Sequence, residues 1–387
     1  MSIKTNSVPG VDFRWVEIYG QETAKSILEE LIISSKIPHS FLFIGPEGSG
    51  KFNLAISFAQ ILNKKFSKLP DTNRLNHLIA NLTEPYVKFI FPLPRGKNET
   101  DRNGPLEKLS ADDLETLQDE LKNKINNPYY KIKLAKANII KINSIRDINK
   151  FISLNYTDIA YRIIIISDAH LMNEESQNAL LKNLEEPPEG VIFILLTPYP
   201  DLLRETIISR CWRVNFQPLG VNDIKDILAK YFNVDTKTAS AVAPFANGSV
   251  TNALDLLNHD FNLLREKTIL VLRYSFGGKF NSALKELNTF LSENDSDSLR
   301  LLIQMIITWL NDVQKQKLNL NEYFFNDYRE TLEKFNARFP NVKVDEIIFK
   351  LDKFASVIRN NINPNLICLN IVLELASLTD RLKKAKS

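Results

Sequence analysis

The stretch Ser40-Phe41-Leu42-Phe43-Ile44-Gly45-Pro46-Glu47-Gly48-Ser49-Gly50-Lys51-Phe52 constrains this chain more than any other. Phe41 to Ile44 read as a buried strand, and Leu54, Ala55, Phe58, Ala59 and Leu62 recur on one face of a following helix. Strand, glycine loop and helix, with GxxxxGK spacing, form the context in which backbone amides surround a phosphate. Gly45, Gly48 and Gly50 let the backbone turn tightly, and Lys51 supplies a cation. The next position demands Ser or Thr, whose hydroxyl ligates the magnesium bridging the terminal phosphates, and here it is Phe52. A phenyl ring has no lone pair to offer a metal. The expectation is a descendant of a nucleotide site, altered for catalysis.

At 387 residues the chain has room for two or three domains of roughly 150 residues each. Its 44% hydrophobic content is ample for packed cores. No apolar run approaches the roughly 20 residues of a membrane span. The polar start Met1 to Asn6 lacks the apolar core of a secretion signal, so a cytoplasmic location is expected, with no membrane partner. Cys211 and Cys368 are the only cysteines, which excludes a disulfide framework and a four-cysteine zinc site, and no metal site of the chain's own is expected. A net charge of +3 is too small to argue nucleic-acid binding on its own.

Before the loop, Ala24, Ile27, Leu28, Leu31 and Ile32 recur at helical spacing. From about 64 to 136 the pattern loosens, with frequent Asn, Asp, Pro and Lys, and reads as an insertion. Within it Ser110 with Asp112 and Asp113 signals a helix start. The core resumes at Ile139. Ile142, Ile145, Ile148 and Ile152 mark an amphipathic helix, leaving Lys141, Arg146 and Lys150 either to meet DNA phosphates or to form a solvated face. The stretch Tyr161 to His170 carries four isoleucines, Ile163 to Ile166, without alternation, the signature of a strand covered on both faces. Phosphoryl-transfer sites place a magnesium-binding Asp at the end of such a strand, and often a Glu after it. This chain offers Ser167 and Asp168 there. A helix from Leu171 to Glu186, halted by Pro187-Pro188, leads to a buried strand Val191 to Thr197, ending in a hydroxyl able to sense phosphate.

Three stretches, Ile37-Pro38-His39-Ser40-Phe41-Leu42-Phe43, Asn178-Ala179-Leu180-Leu181-Lys182-Asn183-Leu184-Glu185-Glu186-Pro187-Pro188 and Ser209-Arg210-Cys211, resemble the clamp-loader branch of the AAA+ ATPases. Asn361-Ile362-Asn363-Pro364-Asn365-Leu366-Ile367, with Leu373-Glu374-Leu375, is similar to the end of the helical collar of bacterial clamp loaders. The resemblance is greatest to the delta-prime group of DNA polymerase III, in the form found in Bacteroidetes-like bacteria, whose insertion carries a segment comparable to Phe91-Pro92-Leu93-Pro94-Arg95-Gly96-Lys97. Many relatives have a cysteine zinc module near there, and this chain has none.

The resemblance implies that Arg210 reaches across a subunit interface to the phosphate of a neighbour's ATP. Departures from the family point towards silence in the chain's own site. Phe52 replaces the hydroxyl ligand, Ser167 replaces the metal-binding acid, and Thr251 stands where active relatives have a second phosphate-sensing arginine. Phosphoryl transfer relies almost wholly on metal and cationic charge placement. The resemblance therefore implies no intrinsic ATPase, weak or absent ATP binding, and ATP with magnesium only at neighbouring subunits.

The expected architecture is an α/β AAA+ P-loop domain to residue 217, a parallel sheet flanked by helices. A small helical lid over 218–259 and an all-α collar over 260–387 would follow. Apolar runs such as Leu301 to Leu310 suit the collar to packing against partner subunits. The implied function is that of a stationary subunit of the DNA polymerase III holoenzyme, organising the ATPase pentamer that loads the sliding clamp in DNA replication. The implied partners are the gamma/tau ATPase subunits, the delta subunit, the sliding clamp and primer-template DNA. The rivals are an active ATPase of the gamma/tau type, with Asp168 as magnesium ligand, and a stand-alone DNA-binding protein using Lys141, Arg146 and Lys150.

Overall fold

The computed structural model describes residues 15, 17–67, 72–153, 159–293, 296–320, 323–358 and 363–384. Met1 to Asn6 and the pair Asn361-Ile362 lie outside the described residues. In chain order the elements are α1 (Glu22–Ser34), β1 (Ser40–Ile44), α2 (Lys51–Phe66), α3 (Thr72–Ala80), β2 (Val87–Ile90), α4 (Ala111–Asn126), α5 (Ile142–Ser153), β3 (Arg162–Ile166), α6 (Glu174–Glu185), β4 (Val191–Thr197), α7 (Glu205–Ile208), β5 (Trp212–Asn215) and α8 (Val221–Phe232). There follow α9 (Thr236–Val242), α10 (Val250–Asn258), α11 (Phe261–Phe276), α12 (Phe280–Glu293), α13 (Ser296–Lys317), α14 (Arg329–Arg338), α15 (Asp345–Val357) and α16 (Pro364–Lys384).

The chain divides into two compact units. One comprises Met1–Asn233 with Gly248–Thr251, the other Val234–Asn247 with Asn252–Ser387. The stretch 218–259, expected as a separate lid, contributes to both.

In the first unit, strands in the order β2-β3-β4-β1-β5 form one sheet, every pairing parallel. Successive side chains leave a strand on opposite faces, and both faces are apolar. Phe41, Phe43, Ile163, Ile165, Ile192 and Ile194 belong to a core with Leu28 and Ile32 of α1 and Phe58 and Leu62 of α2. Leu42, Ile164, Ile166, Phe193 and Leu195 belong to the opposite core with Ile145 and Ile148 of α5 and Leu180 and Leu184 of α6. Double burial is the reason these strands read as continuous apolar runs.

Two sequence expectations shift. The stretch 64–136 is not wholly an insertion, because β2 inside it is a strand of the sheet, paired with β3 from Val87↔Ile163 to Ile90↔Ile166. The polar region after β2 forms its own small core from Phe91, Leu93, Leu109 and Leu117, with α4 opened by a capping box between Ser110 and Asp113. The helix expected from Leu171 begins at Glu174 instead. The Asn173 side chain accepts from Ser176 N at 2.9 Å and makes a new N-cap, while Ala169–Leu171 form a separate 3₁₀ turn.

The second unit is helical in its described residues. Leu301, Leu302, Ile303, Met305, Ile306, Trp309 and Leu310 of α13, expected to face partner subunits, are buried in the chain's own core. The apolar side chains left exposed there include Phe349 on α15 and Leu366, Leu369 and Leu373 on α16. Among the described residues no helix is long and apolar enough to cross a membrane.

Candidate functional site

The glycine loop leaves the carboxyl end of β1, a strand flanked on both sides by β4 and β5, and runs into α2. Ligands of open parallel sheets lie at that end of the strands, and the first N–H groups of a helix have no partner within it. Gly48 and Gly50 adopt φ of +67° and +90°, conformations that a side chain would strain. Gly48 also admits a close neighbour. A Cβ built there would lie 2.6 Å from the amide nitrogen of Thr251 and 2.9 Å from its Oγ1. Thr251 therefore packs on the loop, and Ser249 Oγ donates to the Glu47 carbonyl at 2.7 Å.

Lys51 is buried and turned back onto its own loop, donating to the carbonyls of Gly45 at 2.7 Å and Pro46 at 2.6 Å. Phe52 is also buried, its ring 5.2 Å from that of Phe89 on β2. The Nζ of Lys124, from α4, sits 4.2 Å above the Phe52 ring and donates to the carbonyls of Pro128 at 2.8 Å and Tyr130 at 2.7 Å. Burial pushes Lys51 down to about 8 and Lys124 down to about 7, with Asp168 acting on both in the opposite direction. Asp168 has left-handed backbone at φ +52° just after β3, and Ser167 N extends the ladder to Ile90 O at 2.8 Å. The Thr197 carbonyl accepts from Gly45 N at 3.2 Å. Thr197 Oγ1 accepts from Tyr199 N at 3.0 Å and lies 3.2 Å from His170 Nδ1, so local groups already engage it.

The two lysines give a pH dependence. Unfolded, each titrates near 10.5. Above the folded values the unfolded chain therefore binds more protons than the folded one, and stability rises with pH, from about 7 towards 10. Each lysine contributes at most about 1.4 kcal/mol per pH unit. In urea unfolding, the stability of wild type relative to Lys124→Met should grow between pH 7 and 9.5. A difference independent of pH would contradict the buried-ammonium account.

Arg210 lies at the other end of the same strand. It follows α7 and precedes β5, and its carbonyl accepts from Ser40 Oγ, at the start of β1, at 2.6 Å. Its guanidinium, 35% exposed, pairs with Glu185 at 2.9 Å and donates to the Thr206 carbonyl at 2.8 Å. The neighbouring Cys211 thiol is buried, and burial pushes it up to about 11.

Of the three cations read as either DNA-contacting or part of a solvated helix face, Lys141 is neither exposed nor free. It is buried 2.8 Å from Glu99 and donates to the carbonyls of Pro94 and Pro105 at 3.0 and 2.8 Å. Arg146 is exposed and donates to the Asp101 carbonyl at 3.0 Å, and Lys150 is 78% exposed. Lys124, Tyr129 and Lys131 gather at the loop without having been singled out in the sequence. Tyr129 sits beside Pro128, with no periodicity to mark it.

Among the described residues no three His, Cys, Asp or Glu side chains converge as metal ligands. Three features of the loop stand against magnesium-bound nucleotide. Phe52 brings a ring where a hydroxyl is required, Lys51 is committed to carbonyls, and a Cβ on Gly50 would meet the Tyr129 hydroxyl at 3.3 Å.

Residues 20–220 match the family described as DNA polymerase III, delta subunit, and residues 261–377 match its C-terminal counterpart. The chain belongs to this family. Its relatives include DNA polymerase III subunit tau of Bacillus subtilis, 25% identical over 88% of this chain and 54% of that protein. DNA polymerase III subunit gamma of Buchnera aphidicola subsp. Schizaphis graminum is 33% identical over 46% of this chain and 52% of its own. This family member thus spans about half the length of those relatives. A DNA polymerase III gamma subunit-related protein from Thermotoga maritima is 18% identical, with a TM-score of 0.37 over 91% of this chain and 99% of that one.

Proposed function

We propose that the chain is a delta-prime-type clamp-loader subunit, of the Bacteroidetes-like form, acting in the cytoplasm. In this reading it holds gamma/tau-type ATPase subunits and the delta subunit in register while the sliding clamp is loaded onto primer-template DNA. It lends Arg210 to a neighbour's ATP and turns over none itself. The observation that carries the reading is the placement of Arg210 at the amino end of β1, whereas the chain's own loop leaves the carboxyl end. Five strand residues at about 3.3 Å each put more than 10 Å between them. A finger on that side serves an adjoining subunit. Phe52 supports the silent half of the reading, since the position that would anchor magnesium carries a buried ring.

Similarity to gamma and tau subunits favours the rival reading of an active ATPase with Asp168 on the metal. Steady-state hydrolysis by the purified chain separates the two. Background release of phosphate is expected, and a rate comparable to that of gamma/tau subunits would overturn the proposal.

A further inference from the structure

The polar stretch after β2 returns to the glycine loop through Asn127–Lys131, the turn that follows α4. Asn127 is held at both ends of its side chain, donating through Nδ2 to the Tyr231 carbonyl at 3.1 Å and accepting from Tyr129 N at 3.0 Å. Tyr129 is 3% exposed, and its ring lies 6.3 Å from Tyr19 and 5.5 Å from Tyr231. Lys131 Nζ pairs with Glu47 at 2.6 Å. Positions 47, 50 and 52, spanning the loop and the first turn of α2, are thus met by Lys131, by the Tyr129 hydroxyl and by Lys124.

We propose that Asn127–Lys131 is a built-in cap lying where a nucleotide would have to lie, with Tyr129 filling the aromatic slot beside Tyr19 and Tyr231. This rests on reading the loop as a descendant of a nucleotide site. It goes further by assigning the closure to a segment of the chain itself as well as to the altered Phe52. Three observations converge on it. Tyr19 meets the Tyr129 ring edge-on, at 65° between planes, and Tyr231 meets it tilted at 54°, so the space Tyr129 occupies beside the loop is walled by aromatic rings. The amides at the start of α2 and the ammonium of Lys51 are the groups that would hold phosphate. The Tyr129 hydroxyl reaches the Gly50 N-cap, and the Lys131–Glu47 pair ties the cap to the middle of the loop. A purine nucleoside diphosphate therefore reaches the loop only in the fraction of molecules whose cap has lifted, and its apparent affinity falls by that fraction.

The test is binding of fluorescent mant-ADP to the full chain, for wild type, Tyr129→Phe, Tyr129→Ala and the pair Asn127→Ala with Lys131→Ala. Wild type and Tyr129→Phe, which keeps the ring, should show no saturation below about 1 mM, and the two opening variants should bind roughly tenfold or more tightly. Asn127 and Lys131 are only part-buried, so that pair decides the matter if Tyr129→Ala loses its helical circular dichroism. Amide exchange at residues 48–52 should quicken in the same variants. Opening variants that bind no better than wild type overturn the cap, as does a wild-type chain saturating at micromolar mant-ADP. Neither result touches Arg210, whose role is read from a neighbour's turnover.

Discussion

Arg210→Ala should lower ATP hydrolysis at the adjoining subunit's site by about 10³-fold or more, the scale on which an arginine finger acts. The measurement is single-turnover hydrolysis in a reconstituted assembly whose only competent site faces this chain. The guanidinium is carried on backbone whose packing does not depend on it. The backbone at Arg210 is fixed through its own carbonyl by Ser40 Oγ, and its amide donates to the Ile207 carbonyl at 3.1 Å. Removing the side chain costs an exposed pair with Glu185, worth about 0 to 1 kcal/mol. Stability should therefore stay close to wild type while turnover collapses. An assembly that hydrolyses normally with Arg210→Ala would remove the finger from the account.

Lys141→Ala should destabilise the first unit by about 3 to 5 kcal/mol in urea unfolding, the penalty of stranding one partner of a buried ion pair. The three ammonium hydrogens of Lys141 meet Glu99 and the carbonyls of Pro94 and Pro105. Glu99 in turn accepts from Gly96 N at 2.7 Å and Asn143 Nδ2 at 2.6 Å. Its carboxyl is opposed by burial but held below the ordinary carboxylate range by Lys141, Gly96 N and Asn143. Alanine leaves that carboxylate buried with its cation gone. The paired change Lys141→Met with Glu99→Leu removes both charges and should recover much of the loss. A small effect from Lys141→Ala would mean that the side chain reaches solvent, as the sequence had suggested.

The contrast between Lys141 and Lys51 shows what was legible. β1, the loop, α2, β3 and β4 stand out in the sequence because doubly buried parallel strands and a glycine loop each leave a local pattern. β2 leaves almost none. Val87-Lys88-Phe89-Ile90 is four residues with a lysine among them, and its place in the sheet comes from pairing with β3, more than seventy positions away. Lys141 looked like a surface cation because its partner Glu99 lies 42 residues earlier. The two meet only once Pro94 and Pro105 have wrapped around them. Tyr129 and Lys131 carry no motif, and their relation to the loop is wholly tertiary. The run on α13 misled in the opposite direction, since a helix packed on several sides within its own unit looks as apolar as one waiting for a partner.

The proposed reading is that this subunit contributes chemistry to a neighbour and none at its own loop. Its most direct test is the clamp-stimulated ATPase of the complete reconstituted loader carrying Lys51→Met in this chain alone. Methionine keeps the volume of the buried side chain while removing the ammonium that now donates to Gly45 and Pro46. Turnover should stay within about twofold of wild type, because an interaction absent from the reacting site leaves the barrier unchanged. A loss on the scale produced by Arg210→Ala would show that the altered loop holds nucleotide productively and that this subunit has a working site of its own.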